Sequence, residues 1–322
     1  MYQHPEPDYL PPRFLRPAFV QTVLAGLPLR KRGTSAMEEV AQPLVLDCGD
    51  GIRTTAMLSE NPQGRGTVLV VHGWLGHVDS TYVVSSSRFL FEHGFSVMRI
   101  NLLDHGDTLH LNESFFHAAH FIEVFNAIAH AARLAPHGPV SLMGFSLGGN
   151  FALRVARHLK DHPISELSRI FAISPVINPG VVGKKIDADP LIRRYFRRKL
   201  HRTFRTKEAA FPDLYDVAPM VAQPTITGAT EVFMQRYSKY PDAATYFADY
   251  AVGLGDLVGC PVPVTAIGSV DDPIVPGEEL GTLVKDHNLE IIMTNHGGHN
   301  GFFQTLMGPT YYDDLVLRRL TV

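Results

Sequence analysis

One run constrains this chain more than any other: Thr67-Val68-Leu69-Val70-Val71-His72, almost wholly apolar and closed by Gly73. With no polar alternation, such a run has no face to give to water, so both sides must be covered, as in a central parallel strand. Similar Val- and Ile-rich runs recur at 95–100, 140–145, 170–174, 262–268 and 289–294. Helical patterns separate them at 82–93, 115–134, 147–159 and 277–286, and a last one closes the chain by 319. Strand–helix alternation at this spacing predicts parallel strands with helices on both faces. Ahead of it, 44–48 and 52–59 joined through Gly49-Asp50-Gly51 read as a hairpin. The expected fold class is therefore α/β: a mostly parallel, eight-stranded sheet flanked by helices.

The stretch 177–252 breaks the rhythm, with helical patterns and no strand, and is expected to form a helical cap lying over the strand ends. The domain reading follows: 1–43 an N-terminal arm packed on the catalytic domain, 44–176 with 253–322 the catalytic domain, and 177–252 the cap insertion. Within the cap, 191–205 carries Leu191, Ile192, Tyr195, Phe196, Leu200 and Phe204 at helical spacing. Its other face carries Arg193, Arg194, Arg197, Arg198, Lys199 and Arg202. We read that face as solvated, with a cationic lid for anionic substrates or a membrane surface as the alternative.

Composition narrows the function classes. A chain of 322 residues with 45% hydrophobic and 19% charged content is not disordered. Its 29 basic against 32 acidic residues leave a formal charge of −3, without the basic excess of a nucleic-acid-binding protein. Cys48 and Cys260 are too few for a disulfide framework or zinc knuckle and read as buried thiols in a reducing compartment. Residues 1–7 lack the cationic-then-apolar pattern of a secretory signal. The apolar stretch 17–29, flanked by Arg13, Arg16, Arg30, Lys31 and Arg32, falls short of the roughly twenty residues a spanning helix needs. We expect a cytoplasmic protein without stable membrane insertion, peripheral contact with anionic lipid being the alternative for this stretch. The sequence carries no signal for oligomeric state.

The chemistry sits at strand ends, where ligands bind in such sheets. After 140–145 comes Gly144-Phe145-Ser146-Leu147-Gly148-Gly149, a G-x-S-x-G turn that exposes a serine at the start of a helix. With 27 glycines, roughly one chain in ten of this composition would hold the pattern by accident, so the strand before and the helix after carry the weight. A serine nucleophile needs a base, and the base an orienting carboxylate. Strand 262–268 runs into Ser269-Val270-Asp271-Asp272-Pro273, and strand 289–294 into His296-Gly297-Gly298-His299. Either aspartate and either histidine can complete the set. An oxyanion would be met by the backbone N–H groups of Leu147 and of Trp74, in His72-Gly73-Trp74-Leu75-Gly76 after the central strand. A rival metal reading draws on Asp104, His105, Asp107, His110, His117 and His120, but no H-x-x-x-H or H-E-x-x-H pairing is present, and we expect no metal.

At these motifs the chain resembles the α/β-hydrolase superfamily, and within it the YheT-like branch of predicted esterases and lipases. The resemblance rests on Gln21-Thr22, His72-Gly73, Gly144-Phe145-Ser146-Leu147-Gly148-Gly149-Asn150, Asp271-Asp272-Pro273, and His296-Gly297-Gly298-His299 followed by Gly301-Phe302-Phe303. It implies Ser146 as nucleophile, His299 as base and Asp272 as orienter, hydrolysing carboxylic esters (short- to medium-chain or lipid-like) without a cofactor. An acyltransferase on the same triad is the alternative; a non-catalytic binding module or a metal-dependent hydrolase ranks below it. The resemblance and the motif positions make His72, Leu75, Asp104, His105 and Phe145 the substrate-pocket candidates. The chain departs from the branch at Asn101-Leu102-Leu103-Asp104-His105-Gly106-Asp107, where an Arg-Gly phrase usually follows the asparagine, so the substrate preference does not carry over.

Overall fold

The computed structural model describes residues 9–321; the stretch 1–7, read above for targeting, lies outside them. The hairpin forms around Gly49-Asp50-Gly51, all three at positive φ. It joins β1 (Gln42–Asp47) to β2 (Arg53–Ser59), which pair antiparallel. The remaining strands are β3 (Thr67–Val71), β4 (Ser96–Ile100), β5 (Val140–Phe145), β6 (Leu167–Ile173), β7 (Val264–Ser269) and β8 (Leu289–Thr294). They form one eight-stranded sheet in the order β1-β2-β4-β3-β5-β6-β7-β8, parallel from β4 through β8. β2 runs antiparallel to both its neighbours.

β3, β4 and β5 are buried at every residue, as an unalternating apolar run requires. Their side chains still alternate between two cores. Leu69, Val71, Met98 and Leu142 face one side; Val68, Val70, Val97 and Met143 face the other. α1 (Ala18–Gly26) and α2 (Ala36–Glu39) precede the sheet. α3 (Thr81–Glu92) lies on the Val68 side, while α4 (Phe121–Arg133) and α5 (Leu147–His158) lie on the Leu69 side. Between β6 and β7 come α6 (Pro179–Ala188), α7 (Pro190–Ala210), α8 (Ala218–Val221), α9 (Ile226–Tyr237) and α10 (Ala243–Asp249). Their inward residues, including Ile192, Phe196, Leu200, Phe204 and Phe233, join the core on the Leu69 side. α11 (Gly277–Leu280) and α12 (Tyr311–Leu320) complete the chain, α12 on the Val68 side. No described helix is long and apolar enough to cross a membrane.

Three of the expected helices shorten. The pattern 115–134 becomes a helix only from Phe121, because backbone donors ahead of it are claimed from outside: Phe116 N–H donates to Asp104 Oδ2 (2.7 Å) and Ala118 N–H to the Tyr246 hydroxyl (2.9 Å). The pattern 277–286 shortens to the single turn of α11, which ends at Gly281. The closing helix starts only at a capping box between Thr310 and Asp313. In the other direction, the 191–205 helix lengthens to α7, opened by Pro190 and capped by Asp189, whose carboxylate accepts from Leu191 and Ile192 N–H.

That extra length carries Lys207, which continues the apolar face of α7 and is fully buried. Its ammonium donates to Asp104 Oδ1 (2.9 Å) and to the carbonyls of Asn112 (2.6 Å), Ser114 (2.9 Å) and Leu109 (3.3 Å). Burial pushes the Asp104 carboxyl up to about 6 although Lys207 opposes the shift. One lysine thus fastens α7 to the loop after β4. Lys207→Met leaves a buried carboxylate and three carbonyls without their donor, and the expected loss is about 3–5 kcal/mol in urea unfolding. Asp104→Asn in the same background should recover part of it; a loss below about 1 kcal/mol for the single variant would contradict the assignment.

Candidate active site

The chain leaves β5 and enters α5 within one residue. Ser146 makes that turn at φ 54° and ψ −113°, a strained backbone for any residue with a Cβ. Ser146 N–H donates to Ile173 O (2.8 Å), and Asn150 N–H donates to Ser146 O (2.9 Å). The crowding demands glycine at 148, where a Cβ would stand 2.5 Å from Val71 O and 2.6 Å from His72 O.

β7 and β8 deliver the partners. His299 Nε2 is 2.9 Å from Ser146 Oγ, and His299 Nδ1 is 2.8 Å from Asp272 Oδ2. A carboxylate can only accept, so Nδ1–H donates to Asp272 and Nε2 is left to accept the serine hydroxyl proton. The second oxygen, Asp272 Oδ1, accepts from Ile274 N–H (2.8 Å) and Val275 N–H (2.9 Å), which orients the carboxylate from behind. Asp272 is 3%, His299 8% and Ser146 9% exposed, so the chain of hydrogen bonds is shielded while the serine keeps access to the cavity. The alternatives serve the loop instead. Asp271 Oδ1 accepts from Gly298 N–H (2.9 Å), and His296 Nδ1 lies 3.7 Å from Asp271 Oδ2.

Trp74 and Leu147 both line the cavity with Ser146, and their N–H groups donate to no acceptor among the described residues. Leu147 opens α5, so its N–H belongs to the helix end where negative charge is favoured. The Trp74 loop is held by Gly73 N–H donating to the Tyr82 hydroxyl (2.9 Å), and its next residue, Leu75, takes φ 57°.

The cavity measures about 650 Å³ and lies between the strand ends, α1 and the helices of the insertion. Its walls are mainly apolar and include Phe115, Phe116, Val182, Ile186, Phe196, Phe233 and Tyr250. Of the pocket candidates, Leu75, Asp104 and His105 line it and His72 and Phe145 do not. His72 turns into the protein, where Nε2 accepts from Leu102 N–H (3.0 Å) and Nδ1 meets Gly73 O. Phe145 falls on the Val68 face of the sheet, against Tyr82 and Tyr312. Asp104 is bound to Lys207. His105 donates from Nδ1 to Leu103 O (2.8 Å), and burial holds its pKa down at about 4, so it is a neutral ring whose Nε2 has no protein partner among the described residues. The metal set does not converge: no group of three His, Cys, Asp or Glu among the described residues is placed to hold an ion, and His117 and His120 stack on each other at 3.9 Å.

The largest feature that residue chemistry alone does not announce is the role of α1. Thr22 Oγ1 accepts from His299 N–H (2.9 Å) and donates to Ala18 O (2.8 Å). Gln21, fully buried, accepts from Phe303 N–H (2.8 Å) and donates to Leu15 O (2.7 Å) and to the Tyr9 hydroxyl (3.0 Å). Gly298 sits at φ 53° so close to α1 that a Cβ would stand 2.5 Å from Ala18 O. The signal was the Gln21-Thr22 pair itself: two hydrogen-bonding side chains inside an otherwise apolar helix.

Fold and site together define an α/β hydrolase architecture with a serine–histidine–aspartate hydrogen-bond chain. Residues 68–305 match the alpha/beta hydrolase family, and the chain belongs to it. No curated protein matches. Among solved structures the fold is similar to the Pyrococcus furiosus esterase Pf2001, at 15% identity and TM-score 0.57, covering 90% of this chain and 96% of that one. It is also similar to Est1E from Butyrivibrio proteoclasticus, at 16% identity and TM-score 0.51 over 86% and 95% of the two chains. Alpha/beta hydrolase domain-containing protein 10 from mouse aligns at 15% identity and TM-score 0.51 over the same shares.

Thr22→Val removes the acceptor of a buried N–H. Urea unfolding should register a loss of about 1–3 kcal/mol, and Thr22→Ser should restore most of it. Equal stability of the valine variant and the parent would show that the arm does not fasten this loop.

Proposed function

We propose that the protein is a carboxylic ester hydrolase acting through an acyl-enzyme on Ser146. The observation that carries this reading is the unbroken hydrogen-bond chain Ser146–His299–Asp272 opening into an apolar cavity. His299 Nε2 takes the hydroxyl proton as Ser146 Oγ attacks the ester carbonyl, and Asp272 stabilises the imidazolium that forms. The Trp74 and Leu147 N–H groups meet the oxyanion. His299 then passes its proton to the departing alkoxide, releasing an alcohol. A water, deprotonated by His299, attacks the acyl carbonyl, and collapse of that intermediate frees the acid and restores Ser146. The apolar walls suit an acyl chain, and His105 Nε2 and Asn300 Oδ1, buried on cavity-lining residues and without partners among the described residues, suit a substrate that brings a hydrogen-bond donor. The buried free thiols Cys48 and Cys260 fit a reducing, cytoplasmic setting.

A graded series of p-nitrophenyl esters tests the reading. Ser146→Ala should lower turnover on the order of 10⁶-fold and abolish fluorophosphonate labelling. Asp272→Asn should lower turnover about 10⁴-fold, whereas Asp271→Asn, outside the hydrogen-bond chain, should change it less than about tenfold. Retained labelling of the Ser146 variant would overturn the assignment. Transfer of the acyl group to added alcohols in preference to water would redirect it to acyl transfer.

A further inference from the structure

A residue that lines a cavity and is also exposed stands at its mouth. Phe19 and Val23, one turn apart on α1, are 56% and 40% exposed, and Leu27 just past the helix is 44% exposed; all three line the cavity that holds Ser146. Across the opening, Leu191 and Tyr195, one turn apart on α7, are 68% and 54% exposed and line it too. By the same criterion Asp79, ion-paired with Arg99, also stands at the mouth; the rest of the rim is an apolar surface turned to the outside on two separate elements.

The outward face of α7 adds charge. Residues three, four, seven and eleven apart share one side of a helix, so Arg194, Arg198 and Arg202 stand on the side of Leu191 and Tyr195. All three are exposed and have no carboxylate partner among the described residues. Of the other cations assigned to that face from sequence, Arg193 turns away and donates to Asp187 O, while Lys199 lies over the Tyr195 ring (5.1 Å), lines the cavity and donates to Leu75 O. In a chain of formal charge −3, this side of α7 is a local concentration of positive charge beside an apolar rim.

We propose that the cavity mouth docks on an anionic lipid bilayer, the α1 and α7 apolar side chains entering the interface and the α7 arginines meeting lipid phosphates and carboxylates. Charge complementarity selects this occupant: an anionic bilayer offers hydrocarbon at the depth of the rim and negative charge at its edge. A freely dissolved substrate would need no apolar surface outside the cavity. Docking in this orientation opens Ser146 to an ester drawn from the membrane, a consequence that rests on the hydrolase reading; the docking itself does not.

The experiment is co-sedimentation of the full chain with phosphatidylcholine vesicles, with and without about 30 mol% phosphatidylserine, repeated across about 0.1 to 0.5 M salt. The expected result is binding to the anionic vesicles that weakens with salt. Each arginine near a charged surface is worth about fivefold in affinity, so Arg194→Gln, Arg198→Gln and Arg202→Gln combined should lower it about 100-fold. The same variant should hydrolyse p-nitrophenyl butyrate at the parent rate. Leu191→Ser should weaken binding at high salt as well as low, the mark of an apolar contribution. No binding of the parent, equal binding of the triple variant, or a dimer in sedimentation equilibrium that breaks on Leu191→Ser would each overturn the proposal. So would loss of turnover toward a dissolved anionic ester in the triple variant without loss of vesicle binding. Failure of the hydrolase reading shows separately, as a parent protein silent toward every ester, while the vesicle measurement still reads.

Discussion

The backbone of Ser146 is the constraint on which the rest of the site depends. A residue with a Cβ at φ 54° and ψ −113° costs on the order of 1–3 kcal/mol and persists only where its surroundings over-determine it. Here they do. The parallel pairing of β5 with β3 and β6 fixes the strand before the turn, and the Ile173 carbonyl receives the Ser146 N–H. Gly148 brings the first turn of α5 against the carbonyls that end β3. Because β3 and β5 are buried at every residue, relaxing the turn would mean disturbing the centre of the sheet. The strain is held by the buried centre of the sheet.

His299 is held differently. His299 stands in a loop where Gly297, Gly298, Asn300 and Phe302 all take positive φ, a chain of turns that sheet pairing does not hold. Asp271, Ser269 and Ser174 at the ends of β7 and β6 bond the loop at Gly298 and Asn300, and the rest of its geometry comes from the far end of the sequence. Thr22 and Gln21 hold the backbone N–H groups of His299 and Phe303, and Tyr9 donates its hydroxyl proton to Phe303 O. The 2.9 Å between Nε2 and the serine oxygen is thus the meeting of a strained turn fixed by the sheet and a loop fixed jointly by strand-end side chains and by α1. An N-terminal segment that looks like an appendage in the sequence is part of the site's framework.

This division explains what could be read in advance. Strand order along the chain, the elbow at Ser146 and the placement of carboxylate and histidine at successive strand ends are local patterns, and Ser146, Asp272 and His299 meet where those patterns put them. The pocket assignments of Phe145 and His72 failed for reasons that a strand's period of two could have supplied for the first: Phe145 shares the parity of Met143, two residues back, and so falls on the opposite side of the sheet from the cavity. His72 was harder, since its ring answers Leu102, a residue 30 positions away. The missing first turns of the 115–134 helix have the same origin. Asp104 and Tyr246 claim those backbone donors across distances that periodicity does not see. Lys207 could have been noticed as a lone cation continuing the stripe of Ile192, Phe196, Leu200 and Phe204, but what it binds could not.

α7 shows how one helix reconciles these demands. Its inner stripe enters the core and ends in Lys207, whose charge is tolerable there only because four oxygen atoms surround it. The same stripe also walls the cavity, Phe196 stacking on Trp74 at 5.5 Å, and beside it Lys199 lines the cavity and ties the Trp74 loop through Leu75 O. Its outer side keeps Arg194, Arg198 and Arg202 in the open. Cations on a single helix therefore meet three different environments, and the environment rather than the charge decides what each does. A buried ammonium ringed by acceptors locks α7 to the loop after β4, and one at the cavity wall ties down the Trp74 loop. Guanidinium groups without a carboxylate partner among the described residues retain their capacity for an external anion, which is why the near-neutral total of the chain says so little about its surface.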